Sequence, residues 1–352
     1  VSTGISHSRA EAYLSCRRKD WYGYQFPTEE GKGIRRIGAS SSLNMGTAIH
    51  SIAEVYYNSI MDGEDRETAR AVAEVEYADI MAEFEDRGGN YATLEEVKNR
   101  FLDNETLSDD HDILGVEMEF NLQTEDGEFP FKVDILVRER DTGLIYVVDN
   151  KTGYYLYTEE QTEIMPQIPK YVGALRALGY KVAGGKYQII RTQKLGGEKM
   201  LKAELVAVLS DFLEVEENEH YEGKPMAKHT VEILQGFAEA HGIEHTKPVD
   251  PAKVYQVLDV DIPLDRVMQT MVEQFDVAEE LRERDSWPAA EQEKRAYRTA
   301  NQTVCKSCNF RLICVEELRG GNSNLVLGAE YEPKPKRDRF EVSEEIDDDD
   351  AA

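Results

Sequence analysis

The clearest hydrophobic pattern lies between residues 113 and 192, where short apolar, β-branched runs alternate with turn residues, as strands do. Residues 115–122 read as a strand, and the turn Glu125-Asp126-Gly127 leads into a second that ends near Val137. Residues 144–148 read as a third, joined to the second through Asp141-Thr142-Gly143 as a hairpin. Residues 184–192 and 201–209 read as two further strands around a Gly196-Gly197 turn. Residues 162–178, between the third strand and these two, carry helical spacing. Helical spacing also marks residues 5–24, where Ser6 or Ser8 can act as N-cap, then 42–58, and an acidic, Ala-rich run over 64–86 that breaks at 86–90. Residues 211–284 read as mostly helical with a polar break at 241–251. Residues 31–42 read as a Gly/Ser-rich loop. Beyond Gly320 the apolar pattern fades, and the charged end reads as disordered.

Strands interleaved with helices predict an α/β fold with a mixed central sheet flanked by helices. Four segments are expected: a helical part over 1–110, a core over 111–210, a second helical part over 211–320 and an acidic tail over 321–352. No internal repeat is seen.

The pattern also places charged groups. Asp134 interrupts the second strand, and Asp149-Asn150-Lys151 closes the third. Alternation along a strand sets Asp149 and Lys151 on one face and turns Asn150 away. Pairing as a hairpin can bring both acids and the lysine together, which suits a divalent metal and an activated water. The same charges would also suit the rim of an ordinary sheet. His50 and Glu54 share one face of the 42–58 helix, with Gly46 and Thr47 nearby to allow close approach.

Four cysteines stand at Cys16, Cys305, Cys308 and Cys314. In a chain that opens with no signal-peptide pattern, they fit a reducing, cytoplasmic setting and a metal site better than disulfides. Thiolates so closely spaced can wrap one soft metal centre, with Cys16 as the fourth ligand. Zinc also accepts four thiolates, but paired Cys-x2-Cys arms are missing, so an iron–sulfur cluster is favoured. The alternative is that Cys16 is packed in the core and the other three bind zinc with a histidine, or bind nothing.

The formal charge is −28 over 352 residues. Such a chain does not coat nucleic acid by bulk electrostatics, but a narrow basic cleft is compatible with it. Arg17, Arg18, Lys19, Arg35 and Arg36 are the candidates for one. Gly184-Gly185-Lys186 lacks the spacing of a phosphate loop, so no nucleotide-triphosphate motor site is expected. No apolar run is long enough to span a membrane.

Taken in order, these pieces resemble the PD-(D/E)XK nuclease superfamily. The likeness is to the RecB-like iron–sulfur branch, which includes AddB-type nuclease domains and CRISPR-associated RecB-like exonucleases. It is carried by Ser8…Cys16-Arg17-Arg18-Lys19, by Gly46-Thr47-Ala48-Ile49-His50 and by Glu117 in GVEMEF. Asp134 in KVDIL, Asp149-Asn150-Lys151, Gln167-x3-Tyr171 and Cys305-x2-Cys308-x5-Cys314 follow. The resemblance implies a restriction-endonuclease-like core clasped by a 4Fe-4S cluster on Cys16, Cys305, Cys308 and Cys314. It implies Mg²⁺ or Mn²⁺ held by His50, Asp134, Asp149 and the carbonyl of Asn150, with Glu117 as an outer ligand. Asp134, Asp149 and Lys151 would be catalytic, and Gln167 and Tyr171 would position a DNA strand. The implied function is a metal-dependent DNA nuclease, an exonuclease, in replication, recombination or repair. The alternative is a non-cleaving protein of the same fold that binds DNA ends or a replication or recombination partner, with the acidic tail as the contact.

Overall fold

The computed structural model describes residues 4–37, 41–85, 92–125, 127–195, 198–213, 220–221, 224–243, 246–247, 249–299, 301–306 and 308–334. Its centre is one five-stranded sheet. The strands are β1 (His111–Thr124), β2 (Gly127–Glu139), β3 (Ile145–Gly153), β4 (Val182–Arg191) and β5 (Tyr255–Val260), in the order β5-β4-β3-β2-β1. β1, β2 and β3 form an antiparallel meander, β4 is parallel to β3, and β5 is antiparallel to β4. A parallel neighbour needs a crossover, and the helix Gln167–Ala177 supplies it. The mixed sheet with helices on both sides is the α/β, restriction-endonuclease-like core expected from the sequence.

Each face of the sheet is covered because each strand turns apolar side chains both ways. On one face, Phe129, Phe131, Val133 and Val147 pack under Ile168, Val172 and Leu175 of the crossover helix and Val267 of Leu264–Asp285. On the other, Ile135, Val137 and Val148 pack under Ile49, Ile52 and Tyr56 of Ser41–Met61 and under Val97 and Phe101 of Ala92–Asn104. Each such side chain contributes about 1.5–3 kcal/mol when fully buried. Gly185 lets the crossover helix approach: a Cβ there would lie 2.2 Å from Ile168. The Gly184-Gly185-Lys186 run is therefore strand, and Lys186 pairs with Asp259 at 2.7 Å.

Several elements differ from the sequence reading. The run expected as a strand over 201–209 is the helix Lys202–Phe212, which packs Leu205, Val206 and Leu209 against Leu234 and Ala238 of Val231–Ala240. A short apolar run fits either period, and here a partner helix decides it. The fifth strand is Tyr255–Val260, inside the stretch expected to be helical. The expected loop over 31–42 contains the strand Ile34–Arg36. The expected disordered tail is ordered at its start: Ser323–Glu330 is helical, and Tyr331–Pro333 pairs antiparallel with Ile34–Arg36. Tyr331 is buried against Phe310, which gives this segment an apolar anchor that its charged composition conceals. The rest of the expected tail, 335–352, and the expected breaks at 86–90 and Gly196-Gly197 lie outside the described residues.

The two helical parts expected at either end of the chain meet. Trp21, Tyr22 and Ile34 share a cluster with Ala296, Phe310 and Ile313. The Arg18 guanidinium spans the same joint and donates to both oxygens of Glu317, at 2.6 and 2.7 Å. Arg18→Ala is expected to lower the unfolding free energy by about 1.5–3 kcal/mol, read from urea denaturation. An unchanged midpoint would show that the joint does not depend on this pair.

Candidate active site

The β2–β3 ladder runs from Arg138↔Ile145 to Ile135↔Val148, where its pairing ends. Asp134 and Asp149 occupy the next positions, where the strands part. Instead of joining the ladder, the Asn150 N–H donates to Asp134 Oδ2 at 2.8 Å. On the other side of β2, Val116 pairs with Ile135 and Met118 with Val133, which sets Glu117 across from Asp134. Glu117 is, among the described residues, the one non-glycine with positive φ, at 52°. Such a conformation costs about 1–3 kcal/mol and collects at functional sites. Its effect is visible in the packing. Val116 and Met118 are two apart yet pack on opposite faces, and so do Ile135 and Val133. The alternation slips by one at the two acids and turns both into the crevice.

His50 reaches the crevice from the helix Ser41–Met61. Gly46, one turn earlier, brings that helix close to β3, since a Cβ there would meet Thr152 Oγ1 at 3.4 Å. His50 Nε2 lies 2.9 Å from the Asn150 carbonyl oxygen. A carbonyl can only accept, so Nε2 carries the proton, and Nδ1 is left with the free lone pair in the neutral ring. Nδ1 points at Glu117 Oε1 (3.5 Å) and Asp134 Oδ2 (3.6 Å).

Asp149 and Lys151 face the crossover helix, on one side of β3 as alternation requires. Asp149 is 1% exposed. Lys151 Nζ lies 2.6 Å from Asp149 Oδ2 but off the direction of a hydrogen bond, so neither Asp149 oxygen has an aligned donor among the described residues. Lys151 instead donates to Gln167 Oε1 at 2.9 Å, and Gln167 Nε2 lies 3.2 Å from the Tyr171 hydroxyl. Gln167 and Tyr171 are four apart on the helix, hence on one face.

Electrostatics tie these groups together. Burial pulls the His50 pKa down, but Glu117, Asp134 and Asp149 outweigh it and raise it to about 8. Burial, then Asp149, pushes Asp134 up to about 7, with His50 and Lys151 opposing in part. Burial also opposes the charge on Lys151, and Asp149 and Asp134 overcome it, so its pKa rises and the ammonium persists. Burial raises the Glu117 pKa while His50 and Lys132 lower it more. The crevice therefore holds more negative charge than its own cations neutralise comfortably.

A divalent ion would relieve that imbalance. One ligand atom each from His50, Glu117 and Asp134 lies within 4.8 Å of the others. The oxygens of buried Asp149, ion-paired with Lys151 but without an aligned hydrogen-bond donor, add a further candidate ligand. Oxygen donors with one imidazole suit a hard or borderline ion. Glu117, expected as an outer ligand, stands in the central group. The sequence signal for it was an acid in a strand beside Asp134, and the φ that turns it inward was not legible.

The arginines expected along a DNA path are otherwise engaged. Arg18 is buried on Glu317, Arg35 pairs with Glu332 at 2.7 Å, and Arg36 lies 3.6 Å from Glu330. Arg17 lies over the rings of Tyr13 and Tyr297. The sequence reading missed Lys32, Lys132 and Lys334, which line the cavity beside Glu117 and Asp134. Cys16, Cys305, Cys308 and Cys314, all free of disulfides, line one separate cavity of about 300 Å³. Arg298 Nε donates to Cys314 Sγ there at 3.0 Å.

A mixed sheet that parts over paired acids and a lysine defines a nuclease-type α/β protein. The family model of the PD-(D/E)XK nuclease superfamily matches residues 4–315, and the chain belongs to that superfamily. Nuclease activity in general, and use of divalent metals, go with that membership. No curated protein matches the chain. No helix among the described residues is long and apolar enough to cross a membrane.

Protons and a cation compete for this crevice. His50 and Asp134 must both be deprotonated to ligate, so Mn²⁺ affinity is expected to rise at least about tenfold from pH 6 to pH 8, measured by calorimetry. In the metal-free chain both groups hold protons longer folded than unfolded. The His50 contribution to stability is full below 6.5 and is lost as pH rises through about 8, and Asp134 lowers stability as pH rises from 3.8 through about 7. The metal-free melting temperature should therefore fall over this range, and Mn²⁺ should restore it. Affinity independent of pH would contradict the assignment.

Proposed function

We propose that the protein is a metal-dependent deoxyribonuclease of the RecB-like iron–sulfur branch, acting as an exonuclease in DNA replication, recombination or repair. The observation that carries this reading is the convergence of Asp134, Asp149 and Lys151 with His50 and Glu117 where β2 and β3 part. His50, Glu117, Asp134 and Asp149 would hold Mg²⁺ or Mn²⁺, and the Asn150 carbonyl, expected as a further ligand, would instead fix the His50 ring by accepting from Nε2–H. That ion would acidify an attacking water and offset charge on the phosphoryl oxygens. Lys151, kept as an ammonium by the two acids, donates from Nζ to the charge that grows as water's oxygen bonds to phosphorus and the bond to the leaving ribose oxygen breaks. Gln167 fixes Nζ, and Tyr171 fixes Gln167 in turn.

Lys151→Ala is expected to lose about 10²–10³-fold in kcat on end-labelled single-stranded DNA with Mg²⁺ or Mn²⁺. Undiminished cutting would sink the role of Lys151. Binding without cutting by the unaltered chain would favour the non-cleaving alternative.

The cavity shared by all four cysteines supports a 4Fe-4S cluster that joins the two ends of the chain. Their free state agrees with a reducing, cytoplasmic setting. Protein purified without oxygen should be brown and contain equal iron and inorganic sulfide. Zinc in place of iron would count against the cluster.

A further inference from the structure

The catalytic crevice opens into a cavity of about 530 Å³. Its sheet side presents Glu117, Asp134 and Lys132, and its other side is built from the two ends of the chain, with Tyr24, Lys32 and Lys334. Lys334 lies beyond residue 315, where the family match ends. It reaches the cavity because Tyr331–Pro333 pairs with Ile34–Arg36 in the register Tyr331↔Arg36 and Pro333↔Ile34.

The position of Lys334 is fixed locally. Its N–H donates to the Gly33 carbonyl at 3.0 Å, and the Gly33 N–H donates to Phe26 O at 2.7 Å. Gly33 has φ 89°, and a Cβ there would lie 2.5 Å from Gly23 O, so only glycine closes this turn. The turn holds Lys32 one residue before it, with Nζ 3.3 Å from Gln25 Oε1. The Lys334 ammonium lies 3.9 Å from the centre of the Tyr24 ring and 3.4 Å from Gly23 O. Arg9, in the same wall, is neutralised by two bonds to Asp285 at 2.7 and 2.6 Å. Glu30 is the acid on this side.

We propose that Lys32 and Lys334 form a phosphate-binding station that holds a single DNA strand in the catalytic cavity. The segment after the family match would thereby complete the substrate site. This rests on the nuclease reading above. Lysine binds phosphate as a point charge. The chain as a whole carries −28 and repels a polyanion, so a strand needs cations placed along its path. The cavity has the size of a small-ligand site, with room for nucleotide-sized pieces of one strand.

The test is the salt dependence of binding to fluorescein-labelled oligo(dT), with Ca²⁺ replacing Mg²⁺ to prevent turnover. Removing one phosphate contact on a single strand lowers the slope of log K on log salt by about 0.7. Lys32→Gln and Lys334→Gln should each show that drop, the double variant about twice it, and Lys334→Arg should keep the original slope. An unchanged slope in the double variant would overturn the station. So would equal loss in Lys334→Gln and Lys334→Arg, since Lys334 would then serve only to brace Tyr24 and Gly23. Cleavage of the same oligonucleotide in Mg²⁺ separates the two readings. Cutting with unchanged slopes overturns the station alone, whereas changed slopes without cutting overturn the nuclease reading alone.

Discussion

Two carboxylates that the backbone forces into one crevice set the terms for the rest of this structure. β2 and β3 cannot stay paired past Ile135 and Val148, because the next N–H, that of Asn150, is given to the Asp134 side chain. The parting exposes Asp134 to Asp149, and burial then raises the cost of their shared charge. A folded chain can keep such a pair only with cations at hand. Lys151 is one, His50 is a second when protonated, and a divalent ion would replace the proton on both His50 and Asp134. The positive φ of Glu117 belongs to the same arrangement, since it spends backbone strain to turn a third carboxylate inward.

The surrounding elements position this crevice more than they add chemistry. Gly46 lets one helix bring His50 over Asn150, and the crossover helix carries Gln167 and Tyr171 to Lys151. Farther out, the first and last parts of the chain share an apolar cluster, a buried Arg18–Glu317 pair and the cysteine-lined cavity. This joint also builds the wall, opposite the sheet, of the cavity beside Glu117 and Asp134. Bringing the ends of a long chain together costs loop entropy that these contacts must offset, so stability and access to the crevice depend on the same contacts.

Much of the core was legible because strand alternation and turn chemistry are local. The hairpin through Asp141-Thr142-Gly143, the shared face of Asp149 and Lys151, and the Gln167–Tyr171 spacing all follow from period and register. What was not legible depends on partners far along the chain. Residues 202–212 are helical because Leu234 and Ala238 receive them, and Tyr255–Val260 is a strand because β4 offers an open edge. Tyr331–Pro333 looks like the start of a charged tail until Ile34–Arg36 pairs with it. Arginines read as a nucleic-acid path are ion-paired or stacked, and charge alone carries no sign of that. Glu117 illustrates the limit most sharply. Its residue type was noticed, but its role depends on a backbone dihedral.

The most direct test of the account is anomalous diffraction from crystals grown with Mn²⁺. The account requires a manganese peak bonded to Asp134 and to His50 Nδ1, with Glu117 and Asp149 turned toward it. Crystals of full Mn²⁺ occupancy elsewhere, with His50 still facing only Glu117, Asp134 and the Asn150 carbonyl, would contradict it.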